Sequence, residues 1–424
     1  MANFVYDPSR YCAFIGIDWA DKSHDVCIQE KGSDEFEHTT VEHSPEKLTT
    51  WILELAERFN YQPMAIAIET SKGPLINFLS PYPFVTLFQV NPLSLSHYRK
   101  TFRVSSAKDD INDGELLCEL VSTRLRRLRV IQDDDEQTKE LGILCEQRRH
   151  IVEERKRTGN QLTAQLKQYY PLALEVAGEE IHSTLACEFL LRFPTLQDIQ
   201  AASDKTVIKF YKEHNCRKGD VIDKRIGLIH KAQPLTTNKI IIETSAMTTK
   251  LYARLLLTLN EAVSEYDKKI SDRLSKHPDS HIFTSLPGAG DILAPRLLSV
   301  FGTDRDKFDS SDDVQKYSGV APIIRQSGQM KITSFRYACP KYIRQSFVEF
   351  AGHSTEYSMW AKAFYQMQRD KGKSYQSAVR ALAFRWIRII YKCWKDNKPY
   401  DELTYLKSLQ KRRSPIISQL AKIA

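Results

Sequence analysis

The chain has 424 residues, of which 42% are hydrophobic and 27% charged, with a formal net charge of +8. That length exceeds one ordinary core and implies two or three domains, and the composition is that of a folded, water-soluble protein. No uncharged apolar run of about 18 residues is present, which excludes an ordinary membrane-spanning helix. The N-terminus lacks the basic-then-apolar pattern of a secretion signal, so a cytoplasmic protein is expected.

The first segment alternates strands and helices. Tyr11–Trp19 is a short apolar run carrying an acid near its end, and Asp25–Gln29 follows as the second strand of a hairpin. A third strand is expected around Glu35–Thr40, then a helix over Pro45–Phe59 with Ser44 as its N-cap. Ala65–Ile68 reads as a buried strand ending at Glu69, Lys72–Leu79 as a helix and Phe84–Val90 as a strand. A β-rich start followed by βαβ units indicates a mixed sheet with flanking helices. Thr138–Tyr169 then has apolar residues spaced for one helical face, and Ser245–Lys276 predicts a second long helix. The two could pair as an antiparallel coiled coil or across a dimer, and both readings stay open. Leu286–Asp291 is a tight turn before a helix over Ile292–Phe301, and Tyr375–Trp394 is the last helical stretch. The implied organisation is a nuclease-like unit at 1–130, a helical region at 131–280, a further domain at 281–375, and a C-terminal helix and basic tail at 376–424.

Charge is uneven. Residues 1–130 hold 14 Lys/Arg against 18 Asp/Glu, and the remainder 47 against 35. An acidic head on a basic body suits a carboxylate site beside a polyanion-binding surface. The eight cysteines form no CxxC pair and share no zinc-finger spacing with histidine, so they read as reduced packing residues. Four acids stand out. Asp18 lies in the first strand and Glu69 ends a central one. Asp110 and Asp113 open a helix that continues as Glu115–Leu120, and their i,i+3 spacing puts both on one helical face. Like charges crowded there cost energy unless a cation neutralises them, which points to metal. Two-metal phosphodiester chemistry needs such a set, with two Mg²⁺ ions about 4 Å apart. Taken singly, each acid is more often a cap or turn residue.

The pieces F-I-G-I-D-W-A-x-x-x-H-D-V from Phe14, A-I-E-T from Ala67, Val90–Asn91–Pro92, Tyr98–Arg99–Lys100 and K-D-D-I-N-D-G-E-L-L from Lys108 resemble the DEDD-type transposases of insertion-sequence family 110, including its 1111 subgroup. The resemblance implies an RNase-H/RuvC-like N-terminal domain, a coiled-coil middle and a mainly α C-terminal transposase domain. It places the four metal-binding acids on Asp18, Glu69, Asp110 and Asp113. Gly114 departs from the family, which usually carries Ala there.

A second set of pieces, L-P-G-A-G-D-I-L-A-P from Leu286, Phe301–Thr303, K-F-D-S from Lys307, Y-S-G-V-A-P from Tyr317 and R-Q-S-G from Arg325, looks like that family's C-terminal domain. By this resemblance Ser327 is the nucleophile on DNA, with Arg325 beside it to bind the scissile phosphate. Ser318, also before a glycine, is the main competitor. Leu286–Gly290 resembles the hairpin of a helix-hairpin-helix motif, in which Gly288 and Gly290 free backbone N–H groups for phosphates. Further candidate nucleic-acid contacts are Arg99, Lys100, Arg124, Arg126, Arg127, Arg148 and Arg149, each weighed against a solvated helix face. Arg385, Trp386, Arg388, Tyr391, Lys392 and Trp394 invite base stacking, although tryptophans at helical spacing are more often core.

The resemblance further implies a recombinase that inserts and excises a mobile element. It would be guided by a structured RNA, act on double-stranded donor and target DNA, and work as a homo-oligomer in a prokaryotic cytoplasm, on the nucleoid when active. Rival readings are a site-specific DNA invertase, a junction-resolving nuclease and a domesticated nucleic-acid-binding protein.

Overall fold

A computed structural model describes residues 5–70, 72–102, 113–131, 134–328 and 330–423. Two compact units divide the chain, residues 1–133 and 134–424.

In the first unit, strands β1 (Ala13–Asp18), β2 (Ser23–Glu30) and β3 (Glu37–Glu42) form an antiparallel meander. Helix α1 (Pro45–Arg58) leads to β4 (Met64–Ile68), and α2 (Pro74–Leu79) leads to β5 (Val85–Gln89). Helices α3 (Pro92–Phe102) and α4 (Asp113–Arg124) precede β6 (Arg129–Val130). The sheet order is β3-β2-β1-β4-β5-β6, with β1, β4 and β5 mutually parallel. Ser44 caps α1 as expected, its hydroxyl accepting from the Lys47 N–H. The third strand lies two residues later than the sequence suggested.

Strand periodicity explains where the two helical layers sit. Ala13, Ile15 and Ile17 of β1 and Met64, Ile66 and Ile68 of β4 face a core closed by Leu48, Ile52 and Leu55 of α1. The opposite face carries Phe14, Gly16, Ala65 and Ala67, and α4 packs there through Leu117, Cys118 and Val121. Small residues on that face let α4 approach closely. A methyl group placed on Gly16 would lie 1.9 Å from the Gly114 carbonyl oxygen and 2.3 Å from the Cys118 nitrogen. Both obstacles are backbone, so neither can rotate aside. Gly16→Ala is therefore expected to destabilise this unit by about 3 kcal/mol or more. Chemical denaturation of the purified variant against wild type checks it, and an unchanged midpoint would contradict the close approach.

In the second unit, α5 (Glu136–Tyr169) and α11 (Lys239–Lys276) pack against each other along most of their lengths. Thr138 bonds to His277 at 2.9 Å, Arg148 pairs with Asp267, Arg155 donates to Asn260 at 3.1 Å, and Tyr169 donates to Thr249 at 2.9 Å. The partner number falls as the α5 number rises, so the helices run antiparallel within one chain. Five shorter helices lie between them: α6 (Ala173–Val176), α7 (Thr184–Arg192), α8 (Leu196–Ala201), α9 (Asp204–Glu213) and α10 (Gly219–Lys231). They build one core with the Leu162–Tyr170 end of α5.

The other end of the pair joins a separate core. It contains α12 (Ser280–Thr284), α13 (Gly290–Phe301), α14 (Ser311–Tyr317), α15 (Lys341–Tyr357), α16 (Met359–Asp370), α17 (Tyr375–Lys395), α18 (Glu402–Lys411) and α19 (Pro415–Ile423). A two-stranded hairpin, β7 (Ile323–Ser327) and β8 (Met330–Ser334), interrupts this helical array. No helix among the described residues is long and apolar enough to cross a membrane.

Candidate catalytic sites

Asp18 is the last residue of β1, and Glu69 directly follows β4. Gly16 pairs with Ala67 and Ile17 with Ile68, so the two acids occupy the next step of neighbouring parallel strands. Strand alternation turns both towards the small-residue face, where α4 packs. Asp113 is the first residue of α4. The close approach of α4 at Gly16 thus carries Asp113 to the strand ends that bear Asp18 and Glu69.

The electrostatics record this convergence. Burial pushes the Asp18 carboxyl above its ordinary value, and the negative charges of Asp113 and Asp25 push it further. Glu69 is raised in the same way, by burial first and then by Asp113 and Asp18. The Arg99 guanidinium opposes both shifts and is ion-paired with Asp113. An all-oxygen, acid-rich donor set suits a hard divalent cation. Among the described residues, no three His, Cys, Asp or Glu side chains are gathered closely enough to hold one ion. Arg99 engages Asp113, and Asp110 lies outside the described residues. The expected pairing of Asp110 and Asp113 on one helical turn is likewise outside them, since the described helix begins at Asp113.

Two histidines missed by sequence reasoning hold the turn after Asp18. His24 is buried, and its Nδ1 accepts from the Ala20 N–H at 3.3 Å. Its Nε2 lies 2.9 Å from His43 Nδ1, and Trp19 stacks on its ring. Nδ1 acts as an acceptor, so the proton sits on Nε2 and is donated to His43. Burial lowers the His24 pKa, and His43 lowers it further. His24 stood in the sequence motif, but its partner lies 19 residues away.

In the second unit the two candidate serines are sharply distinguished. Ser318 is fully buried, its hydroxyl donating to the Gln315 carbonyl at 3.2 Å. Ser327 ends β7, is exposed, and pairs in register with Met330. Gly328 follows it with φ +58°, the left-handed conformation a tight hairpin turn needs. Arg325 lies two residues earlier on the same strand, and its side chain lies outside the described residues. The hairpin sits within residues 314–348, which contain six Lys/Arg and no Asp/Glu. That acid-free window was a readable signal for a polyanion surface, and it adds Lys331 and Arg336 to the candidates.

The remaining candidates fall into four groups. Lys100, Arg124, Arg126 and Arg127 are exposed on the first unit. Arg148 and Arg149 are engaged in ion pairs, with Asp267 and with Glu153 and Glu349 respectively, and so help hold the helices of the second unit together. Gly288, in the turn between α12 and α13, and Gly290, the first residue of α13, both have positive φ, at +77° and +51°. The Gly288 carbonyl bonds to His353 at 2.9 Å, and Gly290 has open space around it. Trp386 and Trp394 are fully buried, their indole N–H groups bonded to Ser354 and to the Gly302 carbonyl, so they are core residues and do not stack on bases.

A model of DEDD transposases of the IS110 type matches residues 15–171, and one described as the IS116/IS110/IS902 transposase family matches residues 280–366. The protein is accordingly an enzyme of DNA transposition. A Streptomyces coelicolor protein named as the candidate transposase of the IS117 mini-circle is 25% identical over 92% of this chain and 95% of its own length. An uncharacterised protein of the insertion element IS110, also from Streptomyces coelicolor, is 24% identical over 70% of this chain and 72% of its own. A pilin gene-inverting protein of Moraxella lacunata is 25% identical over 34% of this chain and 46% of its own. The chain belongs to the IS110 family of transposases.

Proposed function

We propose that this transposase is an RNA-guided DNA recombinase that inserts and excises a mobile element. The observation that carries the chemical part is the convergence of Asp18, Glu69 and Asp113 at the ends of two parallel strands and the start of α4. The strand order supports an RNase-H/RuvC-like reading of the first unit. In this reading Asp18, Glu69, Asp110 and Asp113 hold Mg²⁺, which when bound supplies Lewis-acid stabilisation of the scissile phosphodiester. Ser327 attacks the phosphorus. The new Ser–O–P bond replaces the P–O bond to the departing strand, and bond energy is conserved for rejoining. Exposure of Ser327 and burial of Ser318 support that choice. Residues 131–280 act as the coiled-coil region, 281–375 as the serine domain and 376–424 as the C-terminal helix and tail. The Gly288–Gly290 turn contacts phosphates in the manner of a helix-hairpin-helix, and the assembly is a homo-oligomer on donor and target DNA.

RNA guidance rests on the family resemblance. Its test is purification from cells carrying the native element, followed by sequencing of bound RNA. A discrete RNA from the element's noncoding flank is expected, whereas only degraded bulk RNA would remove the guide from the mechanism. A second reading, a DNA invertase, is favoured by the relatives named as pilin gene-inverting proteins. An invertible segment bordering the gene, in place of element ends around it, would select that reading.

A further inference from the structure

The acid site carries its own cation. Arg99, on α3, is ion-paired with Asp113 through Nη2, and its charge also reaches Asp18 and Glu69. Only part of the guanidinium is used, for Arg99 Nε is buried with no partner among the described residues. A buried donor left unmade is costly, which makes Arg99 a poor choice if its purpose were only to fasten α3 to α4. Its place beside three carboxylates has an electrostatic explanation instead. Without a cation those charges repel one another, and Arg99 lowers that cost.

We propose that Arg99 is the resident counter-ion of this site, which a divalent cation has to displace from Asp113. Arg99 then sets the cation concentration at which the site loads. The inference rests on the metal reading above. A guanidinium and a divalent ion on one carboxylate repel each other, so occupancy by one opposes the other, and the coupling is reciprocal. Displacement also leaves a planar, two-pronged donor next to the carboxylates, suited to a phosphodiester oxygen pair.

The test is Mn²⁺ binding to the full chain without nucleic acid, followed by electron paramagnetic resonance of the free ion. Arg99→Met keeps the aliphatic stem and removes the charge, and is expected to bind Mn²⁺ at least about fivefold more tightly than wild type. Arg99→Lys keeps the charge and is expected to stay near wild type. Arg99→Gln, which retains a hydrogen-bond donor, should tighten binding like Arg99→Met and decides the matter if the Met variant does not fold. Unchanged or weaker binding in the uncharged variants would overturn the inference. Asp18→Asn and Asp113→Asn separate the two levels. Mn²⁺ binding that ignores both aspartates sinks the metal reading and this inference together. Binding that needs them yet is indifferent to Arg99 sinks this inference alone.

Discussion

Ser327→Ala is expected to abolish covalent protein–DNA adducts and to lower recombination by at least about 10⁴-fold, while nucleic-acid binding persists. The size of the effect follows from the role proposed for the hydroxyl. Without its oxygen no phosphoserine bond can form, and no neighbouring group replaces it at the same place on the strand. The side chain is exposed at the end of a hairpin and buries nothing, so the fold has little reason to suffer. Ser318→Ala is the matched control. It removes a buried hydroxyl that donates to a helix carbonyl, which should cost about 1 kcal/mol of stability and leave adduct formation intact. Denaturing gels of labelled element-end DNA incubated with each variant read the outcome. Adducts that survive in Ser327→Ala would move the nucleophile elsewhere.

Asp18→Asn is expected to lower strand cleavage by about 10³-fold or more and yet raise the melting temperature of the metal-free protein, on the order of 2 °C. The sign follows from the shifted carboxyl. Asp18 binds its proton more tightly in the folded chain than at its ordinary value of 3.8. Between that value and the raised one, the folded state holds more protons than the unfolded state, so stability falls as pH rises through the window. Above it the full penalty of a half-buried, repelled carboxylate remains, and a neutral amide relieves it. Added Mg²⁺ should stabilise wild type and leave Asp18→Asn nearly unmoved. Thermal melts with and without Mg²⁺, across pH, measure both effects. A variant that is less stable than wild type without metal would contradict the repulsion among the acids.

Much of the first unit was legible because its signals are local. A strand buried on both faces, such as β4, reads as a continuous apolar run, and Ser44 before Pro45 is a local cap. The acids at strand ends were legible for the same reason. β6 was lost because it is only Arg129–Val130 and follows a run of arginines that suggested more helix. The start of α11 was placed six residues late, since Ile240, Ile241 and Met247 are exposed and break the one-face pattern. The β7–β8 hairpin was missed in a region expected to be helical, for Ile324, Met330 and Ile332 are exposed and do not alternate with burial. Its Ser-Gly turn was the available clue. The partners of functional side chains were invisible throughout. Arg99 and Asp113 are 14 residues apart, and Arg149 and Glu349 are 200 apart.

The antiparallel pairing of α5 and α11 constrains how this protein can change length over evolution. Its cross-links advance by equal steps along the two arms, from Thr138 with His277 through Arg148 with Asp267 to Arg155 with Asn260. Dropping seven residues from one arm alone would slide everything beyond the deletion by about 10 Å against the other arm. Tyr169 would lose Thr249, and Asn260 would lose the His182 carbonyl that it now holds at 2.8 Å. Insertions and deletions between residues 148 and 155 should therefore be tolerated only when balanced by equal ones between 260 and 267. Family members with longer or shorter arms are expected to have altered both together.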